Sequence, residues 1–368
     1  MAVAARPMEF AMWPDRRLLD LFGIEHPIVL APMASAMDWK MTVAVSEAGG
    51  LGSLPCAMLA YDKAREEVAN IRARTEKPFN MNFFCHKPPA PDNAREASWR
   101  DRLKPYYDEL GLDPNTAPPP PPRVPFNDEH CELIEELKPV VVSFHFGLPE
   151  PRLVKRVKAA GCKMISSATT AAEARWLEGQ GADAVIAQGL EAGGHRGIFL
   201  SDDISTQPGT FALVPQVVDA VKAPVIAAGG IGDARGIAAA FALGAAGVQM
   251  GTAFLHCPES MISVQHREAL AAAQDSSTVL TNVMTGRPAR YIVNRLIREQ
   301  GPISDVPAFP NAVAAVMPLK MEAEKRGSGD FSSMWSGQAA ALGRAVPAGE
   351  LTRTLAVEAL ARFKALSG

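Results

Sequence analysis

A chain of 368 residues, 48% hydrophobic and 21% charged, has the balance of a folded globular protein and the length of one large α/β barrel or two ordinary domains. Its net charge of −3 gives no electrostatic footprint for nucleic acid or an anionic membrane surface, and no apolar run approaches the ~20 residues of a membrane span. The start, MAVAARP, lacks the apolar core of a secretion signal. The five cysteines at 56, 85, 131, 162 and 257 form no Cys-x-x-Cys and no metal spacing, so reduced thiols in the cytoplasm are expected.

In chain order, short apolar runs alternate with amphipathic stretches, the sign of βα units and a parallel sheet. The predicted strands are 27–32, 50–54, 79–83, 139–144, 163–167, 183–188, 223–228 and 246–250. Helices are predicted over 39–48, 61–74, 150–160, 171–179, 211–221 and 233–243, with Thr170 and Asp233 as N-terminal caps. The pattern predicts a (β/α)8 barrel, whose site assembles at the carboxyl ends of the strands; a doubly wound open sheet is the alternative.

Two regions break the repeat. The stretch 85–135 is far longer than an ordinary connection; it contains Trp99, Tyr106, Tyr107 and the run Pro118–Pro122 before Arg123, read as a stiff surface link. The stretch 257–334 is mostly helical in pattern and reads as a cap over the barrel mouth. The domains are thus 14–256 with 335–368 as the barrel, and 257–334 as the cap. Within 337–366, Leu351, Leu355, Val357, Leu360 and Phe363 fall near helical spacing.

Strand ends carry the chemistry. The first ends on Ala31-Pro32-Met33-Ala34, an apolar corner where a flat ring could lie. The third carries Asn80 and Asn82 two apart, hence facing alike. The fourth ends at His145, read as lining the substrate pocket against the alternative of a core histidine. After Ala184-Val185-Ile186-Ala187 come Gln188 and Glu191-Ala192-Gly193-Gly194-His195: a polar amide, a glycine pair and an imidazole that titrates near neutrality. The last two strands run into Ala228-Gly229-Gly230-Ile231 and Gln249-Met250-Gly251-Thr252, the usual place for a phosphate in a barrel. Amides for a heterocycle, backbone donors for a phosphate and apolar walls suit a flavin mononucleotide and not a metal. A dinucleotide motif at Gly230-Ile231-Gly232 is imperfect, because the third glycine is displaced to Gly236 and Gln249 stands where a ribose-binding acid belongs.

Other residues carry weaker signals. His26 is expected to be structural, and His86, His130, His256 and His266 to lie in surface loops or the cap. Cys162 is expected to be buried, Met33, Met81 and Met250 to pack in the core or by the ring, and Arg287 and Arg290 to meet an anion or pair between cap and barrel.

Together, Ala31-Pro32-Met33, Asn82, Phe146-Gly147-Leu148-Pro149, Gln188 with Glu191–His195, Ala228–Ile231, Gln249–Thr252, Gly286-Arg287-Pro288-Ala289-Arg290 and Trp335-Ser336-Gly337-Gln338 resemble the nitronate monooxygenases, formerly 2-nitropropane dioxygenases, over nearly the whole chain. The resemblance implies a barrel with FMN and oxidation of alkyl nitronates by O2 to a carbonyl compound and nitrite. It implies that Ala31, Pro32, Met33, Ala34, Asn82, Gln188, Gly193, Gly194, Gly229, Gly230, Gln249, Met250, Gly251 and Thr252 hold FMN, with His195 catalytic. The partners expected are a nitronate and O2, with a homodimer as the assembly put forward and its contacts left open by the insertion. Enoyl-ACP and quinone reductases share the barrel and a similar loop, so an NAD(P)H-dependent flavin reductase stays open, as does a flavin-binding protein without activity.

Overall fold

A computed structural model describes residues 12–114 and 123–367; the proline run and the first seven residues lie outside them. Eight parallel strands form one sheet: β1 (Ile28–Leu30), β2 (Gly52–Pro55), β3 (Phe79–Phe84), β4 (Val141–His145), β5 (Lys163–Ala168), β6 (Ala184–Gln188), β8 (Val225–Ala228) and β9 (Gly247–Met250). β1 pairs with β9, and the Val29–Leu51 bridge brings β1 beside β2, so the sheet closes on itself as a TIM barrel. These strands are buried along both faces, which is why they read as continuous apolar runs without alternation. Every strand predicted from the sequence is present at those positions within a few residues.

A short α1 (Arg17–Phe22) precedes β1; the intervening helices are α2 (Trp39–Glu47), α3 (Tyr61–Arg72), α5 (Asp128–Leu137), α6 (Pro151–Ala159), α7 (Ala171–Gly179), α8 (Thr210–Ala220) and α9 (Ala234–Ala242), and the one-turn α10 (Thr252–Leu255) follows β9. The expected caps act: Thr170 accepts the Glu173 N–H, and Asp233 accepts that of Arg235. The stretch 85–135 holds two different things. α5 packs between α3 and α6 as a helix of the barrel, capped by Asn127. α4 (Asn93–Leu110) instead packs on α13 (Val313–Lys325), where Trp99 Nε1 donates to Ala312 O at 3.2 Å and Tyr107 Oη to Ala315 O at 2.7 Å.

The stretch 257–334 departs from its mostly helical expectation. Besides α11 (Val264–Ala271), α12 (Arg295–Gln300) and α13 it contains an antiparallel hairpin, β10 (Thr278–Thr281) and β11 (Ala289–Ile292). Its edge is completed by the two-residue strand β7 (Gly194–His195) from the barrel's own loop, with His195 opposite Ala289. That pairing joins segments about a hundred residues apart, which local periodicity cannot encode. The chain closes with the single helix α14 (Ala348–Leu366), laid on α2 and α9. Leu351 and Leu355 are buried there, but Val357 is 67% exposed, since 100° per residue turns it away from their stripe.

Candidate active site

At the carboxyl ends of the strands lies a cavity with about 1350 Å³ of atom-free space, counting its open mouth. Every residue expected to hold the cofactor lines it: Ala31, Pro32, Met33, Ala34, Asn82, Gln188, Gly193, Gly194, Gly229, Gly230, Gln249, Met250, Gly251 and Thr252. His145 and His195 line it too. Asn80 does not; its amide is buried and donates to Ser53 and Ser143 hydroxyls at 3.0 and 2.9 Å, holding β2, β3 and β4 together.

The loop after β6 is laced to itself. Gln188 Oε1 accepts the Gly197 N–H at 2.7 Å, and its Nε2 donates to His195 O at 3.0 Å. The side chain expected at a ring edge therefore also pins the loop that carries His195. Beneath it the fully buried Arg196 donates Nη2 to Gln188 O at 2.7 Å, Nη1 to Gly189 O at 2.5 Å and Nε to Gln207 at 3.0 Å. Burial, helped by Arg290, lowers the Arg196 pKa to about 10. Gly193 and Gly194 have separate reasons to be glycine. A Cβ on the first would lie 2.6 Å from Gly337 N, and the second sits at φ +74.

At the other wall, Gly229 and Gly230 turn the chain after β8 with φ +112 and +70. Asp233 occupies the amino end of α9 and pairs with Arg235 at 2.6 Å. A phosphate here would meet the backbone of Gly230, Gly251 and Thr252 and not that helix end. Gln249 lines the cavity, and its Oε1 is buried without a hydrogen-bond partner among the described residues. An orphan acceptor on a ligand wall is what a ring N–H would complete, after a turn about the terminal torsion. The donor set thus fits a flavin.

His195 is oriented from several sides. Its Nε2 lies 2.9 Å from Thr285 Oγ1, and its ring packs against Phe309 and Phe146 at centroid separations of 5.1 and 5.9 Å. Its carbonyl accepts from His145 Nε2 at 3.1 Å as well as from Gln188. Since a carbonyl only accepts, His145 carries its proton on Nε2, and its Nδ1 accepts from Ser167 Oγ at 3.1 Å. Burial, then the nearby Arg287, pushes the His145 pKa down to about 3. His195 is held well below its ordinary value by burial, then by Arg123, His145, Arg287 and His86. Both imidazoles are neutral at neutral pH.

Several expectations are corrected. His86, His130 and His266 are not on the surface but each about 5% exposed or less. His86 sits on Phe309 and His130 among Phe83, Phe126 and Tyr61, where long-range aromatic packing covers them. His266 lines the cavity and donates Nε2 to Trp335 O at 3.0 Å; burial brings its pKa to about 4. Arg287 and Arg290 form no ion pair among the described residues. Arg290 donates to Leu190 O at 3.0 Å, while Arg287 donates to Ile198 O and lies 4.1 Å over the Phe146 ring. Backbone carbonyls of the barrel loops are their partners, because both arginines cross onto those loops from β11 and the turn before it. Cys162, Met81 and Met250 are buried as expected.

Arg123, Thr285 and His266 were not legible as site residues. Arg123 lines the cavity with its guanidinium 5.2 Å over Phe309, and its Nε has no hydrogen-bond partner among the described residues. No aspartate or glutamate lines the cavity among those residues, so its one formal side-chain charge is positive.

A closed (β/α)8 barrel with histidines, amides and glycine turns gathered at the carboxyl ends of its strands has its cavity where barrel enzymes carry their active sites. The family described as nitronate monooxygenase matches residues 15–358. A nitronate monooxygenase of Pseudomonas aeruginosa is 43% identical, over 93% of this chain and 98% of its own. The crystal structure of nitroalkane oxidase from Streptomyces ansochromogenes superposes with a TM-score of 0.86 at 38% identity, covering 95% of this chain and 99% of that one. FabK from Thermotoga maritima superposes at 0.71 with 31% identity, covering 96% and 98%. The chain belongs to the nitronate monooxygenase family.

Proposed function

We propose that this protein binds FMN and oxidises alkyl nitronates, and nitroalkanes after deprotonation, with O2 to a carbonyl compound and nitrite. The observation that carries the reading is the polarity of the cavity: Arg123 and neutral histidines 145, 195 and 266 line it, and no carboxylate among the described residues does. Such a wall favours an anion, and desolvation strengthens that preference. The flavin supplies an acceptor for the substrate's electrons. Gln249, Asn82 and Gln188 would face its ring, the Met33 corner its apolar side, and the Gly230 and Gly251–Thr252 backbone its phosphate.

His195 has the character of a base. A neutral imidazole can take the proton from a neutral nitroalkane carbon, and with Arg123 nearby the resulting nitronate remains beside positive charge. The likeness to a nitroalkane oxidase supports this reading more than the lower likeness to FabK supports an NAD(P)H-dependent reductase. The five free thiols, four of them buried, fit a reducing compartment such as the cytoplasm. No helix among the described residues is long and apolar enough to cross a membrane.

The test is the absorption spectrum under anaerobic conditions. Bleaching by a nitronate but not by NADH or NADPH, followed by nitrite release on admitting air, is the expected result. Bleaching by a nicotinamide alone overturns it in favour of the reductase. A protein that cannot be reconstituted with FMN overturns both.

A further inference from the structure

We propose that Thr285 is a positioning residue that fixes the tautomer of His195, keeping the proton on Nε2 and leaving the Nδ1 lone pair as the base. The inference rests on the reading of His195 as the group that deprotonates a neutral nitroalkane. Thr285 is 1% exposed, and its hydroxyl faces Arg287 O and His195 Nε2, with the Tyr291 hydroxyl on a further side. Toward Arg287 O it can only donate, and that contact is 3.4 Å. With its hydrogen turned to Arg287 O, it accepts from His195 Nε2 at 2.9 Å, and the assigned tautomer carries the ring hydrogen on that nitrogen.

The ring has little freedom to choose otherwise. Its backbone carbonyl is held by both Gln188 and His145, its backbone pairs with Ala289 of β11, and Phe146 and Phe309 flank the imidazole. Tyr291, fully buried two residues after Ala289 on the same hairpin, turns its hydroxyl toward Trp335 and Thr285. Thr285 therefore belongs to a rigid part of the 257–334 segment and not to a mobile loop.

In the step assigned, the C–H bond of the nitroalkane breaks. Its electron pair stays on the substrate, delocalised into the nitro group, and the proton moves to Nδ1. The product is a nitronate beside an imidazolium whose Nε2–H still points to Thr285. A pre-formed nitronate has no such proton to lose, so Thr285 matters less for it.

Thr285→Val keeps the shape and removes the hydroxyl; Thr285→Ser keeps the hydroxyl. In the FMN-loaded enzyme, Thr285→Val is expected to lower kcat/KM on nitroethane about tenfold, the scale of one lost hydrogen bond in a buried site. The loss on ethyl nitronate should be smaller, and Thr285→Ser should recover most of the nitroethane rate. Equal losses on both substrates, or no recovery by serine with flavin retained, overturn the proposal. A second measurement does not depend on turnover. The ¹⁵N shifts of labelled histidine, with the His195 signal assigned by its absence in His195→Asn, should report an Nε2–H tautomer in the unsubstituted protein. An Nδ1–H tautomer overturns the proposal even if Thr285→Val fails to fold. If the enzyme oxidises neither nitroethane nor its nitronate while the Nε2–H tautomer is present, the functional reading fails and the positioning role stands.

Discussion

The cavity has two walls of different origin. The inner wall is made by the ends of β1, β3, β6, β8 and β9, each strand carrying near its end, or followed closely by, a residue that lines the cavity: Met33, Asn82, Gln188, Gly230 and Gln249. The outer wall draws on Arg123 from the long connection, His266 and Trp335, with Thr285 behind His195, none of them within reach of a barrel strand in sequence. One wall is amide and glycine, the other imidazole and guanidinium. The inner wall therefore presents neutral hydrogen-bonding groups, the outer one a cation and neutral imidazoles. His195 stands at the seam, presented by the inner loop but paired through β7 to the outer hairpin.

Acid should separate the walls first. His86, His130 and His266 are neutral when folded, each brought by burial to about 4; His145 is brought to about 3, and burial holds His195 well below its ordinary value. In the unfolded chain each titrates near 6.5. The folded pKa values are depressed, so between about pH 6.5 and 4 the unfolded state binds more protons, and stability falls as pH falls. Each such group steepens the loss by up to about 1.4 kcal/mol per pH unit. Urea midpoints taken from pH 7.5 to 4.5 should decline steadily from near pH 6.5. A flat profile down to pH 5 would show that these histidines are not buried neutral.

The next effect belongs to the seam. His195→Asn should cut the rate on a neutral nitroalkane by roughly 10²-fold or more, harm a pre-formed nitronate less and leave FMN bound. Steady-state kinetics on the paired substrates, with flavin content, decides it. Flavin loss ahead of activity would make His195 a brace for its loop instead.

What was readable in the sequence follows the same division. Strand, glycine turn and polar residue lie within about ten positions of one another along the inner wall, so periodicity and turn chemistry placed the strands and the caps at Thr170 and Asp233, while the residues proposed to hold the cofactor were read from the family resemblance. The outer wall depends on contacts such as β7 with β11 and α4 with α13, which span about a hundred and two hundred residues. Nothing around Arg123 beyond a proline run distinguishes it from a surface arginine, and His266 is an ordinary helical residue until Trp335 covers it. Gln188 was half-legible: its place in the cavity followed from the strand, but its grip on His195 O and Gly197 N required the loop to fold back.

Arg123 tests whether the outer wall selects charge. Arg123→Gln preserves hydrogen-bonding capacity and removes the cation, so KM for a nitronate should rise about tenfold, the scale of one partly desolvated charge contact. A neutral nitroalkane should show a much smaller rise in KM, because it arrives without charge. Equal rises for both would assign Arg123 a steric role at the entrance.

The smallest expected effect lies on the inner wall and reads cofactor binding without turnover. Gln249 Oε1 is a buried acceptor with no donor among the described residues, which costs stability that a ring N–H would recover. Gln249→Leu removes that acceptor at similar volume. The flavin-free protein should then be as stable as before or slightly more so, while the FMN dissociation constant rises a few-fold to about tenfold. Thermal denaturation of the stripped protein and a fluorescence titration with FMN measure the two halves separately. The opposed signs are the point of the experiment: a side chain that only packs against the strand would lower the melting temperature of the stripped protein and leave FMN affinity alone. That outcome would move the ring edge away from Gln249 and onto Asn82 and Gln188. Gln188 is already committed to the His195 loop, so the flavin side of the cavity would then lean on Asn82, whose Nδ2 is itself shared with Ser143 at 2.9 Å.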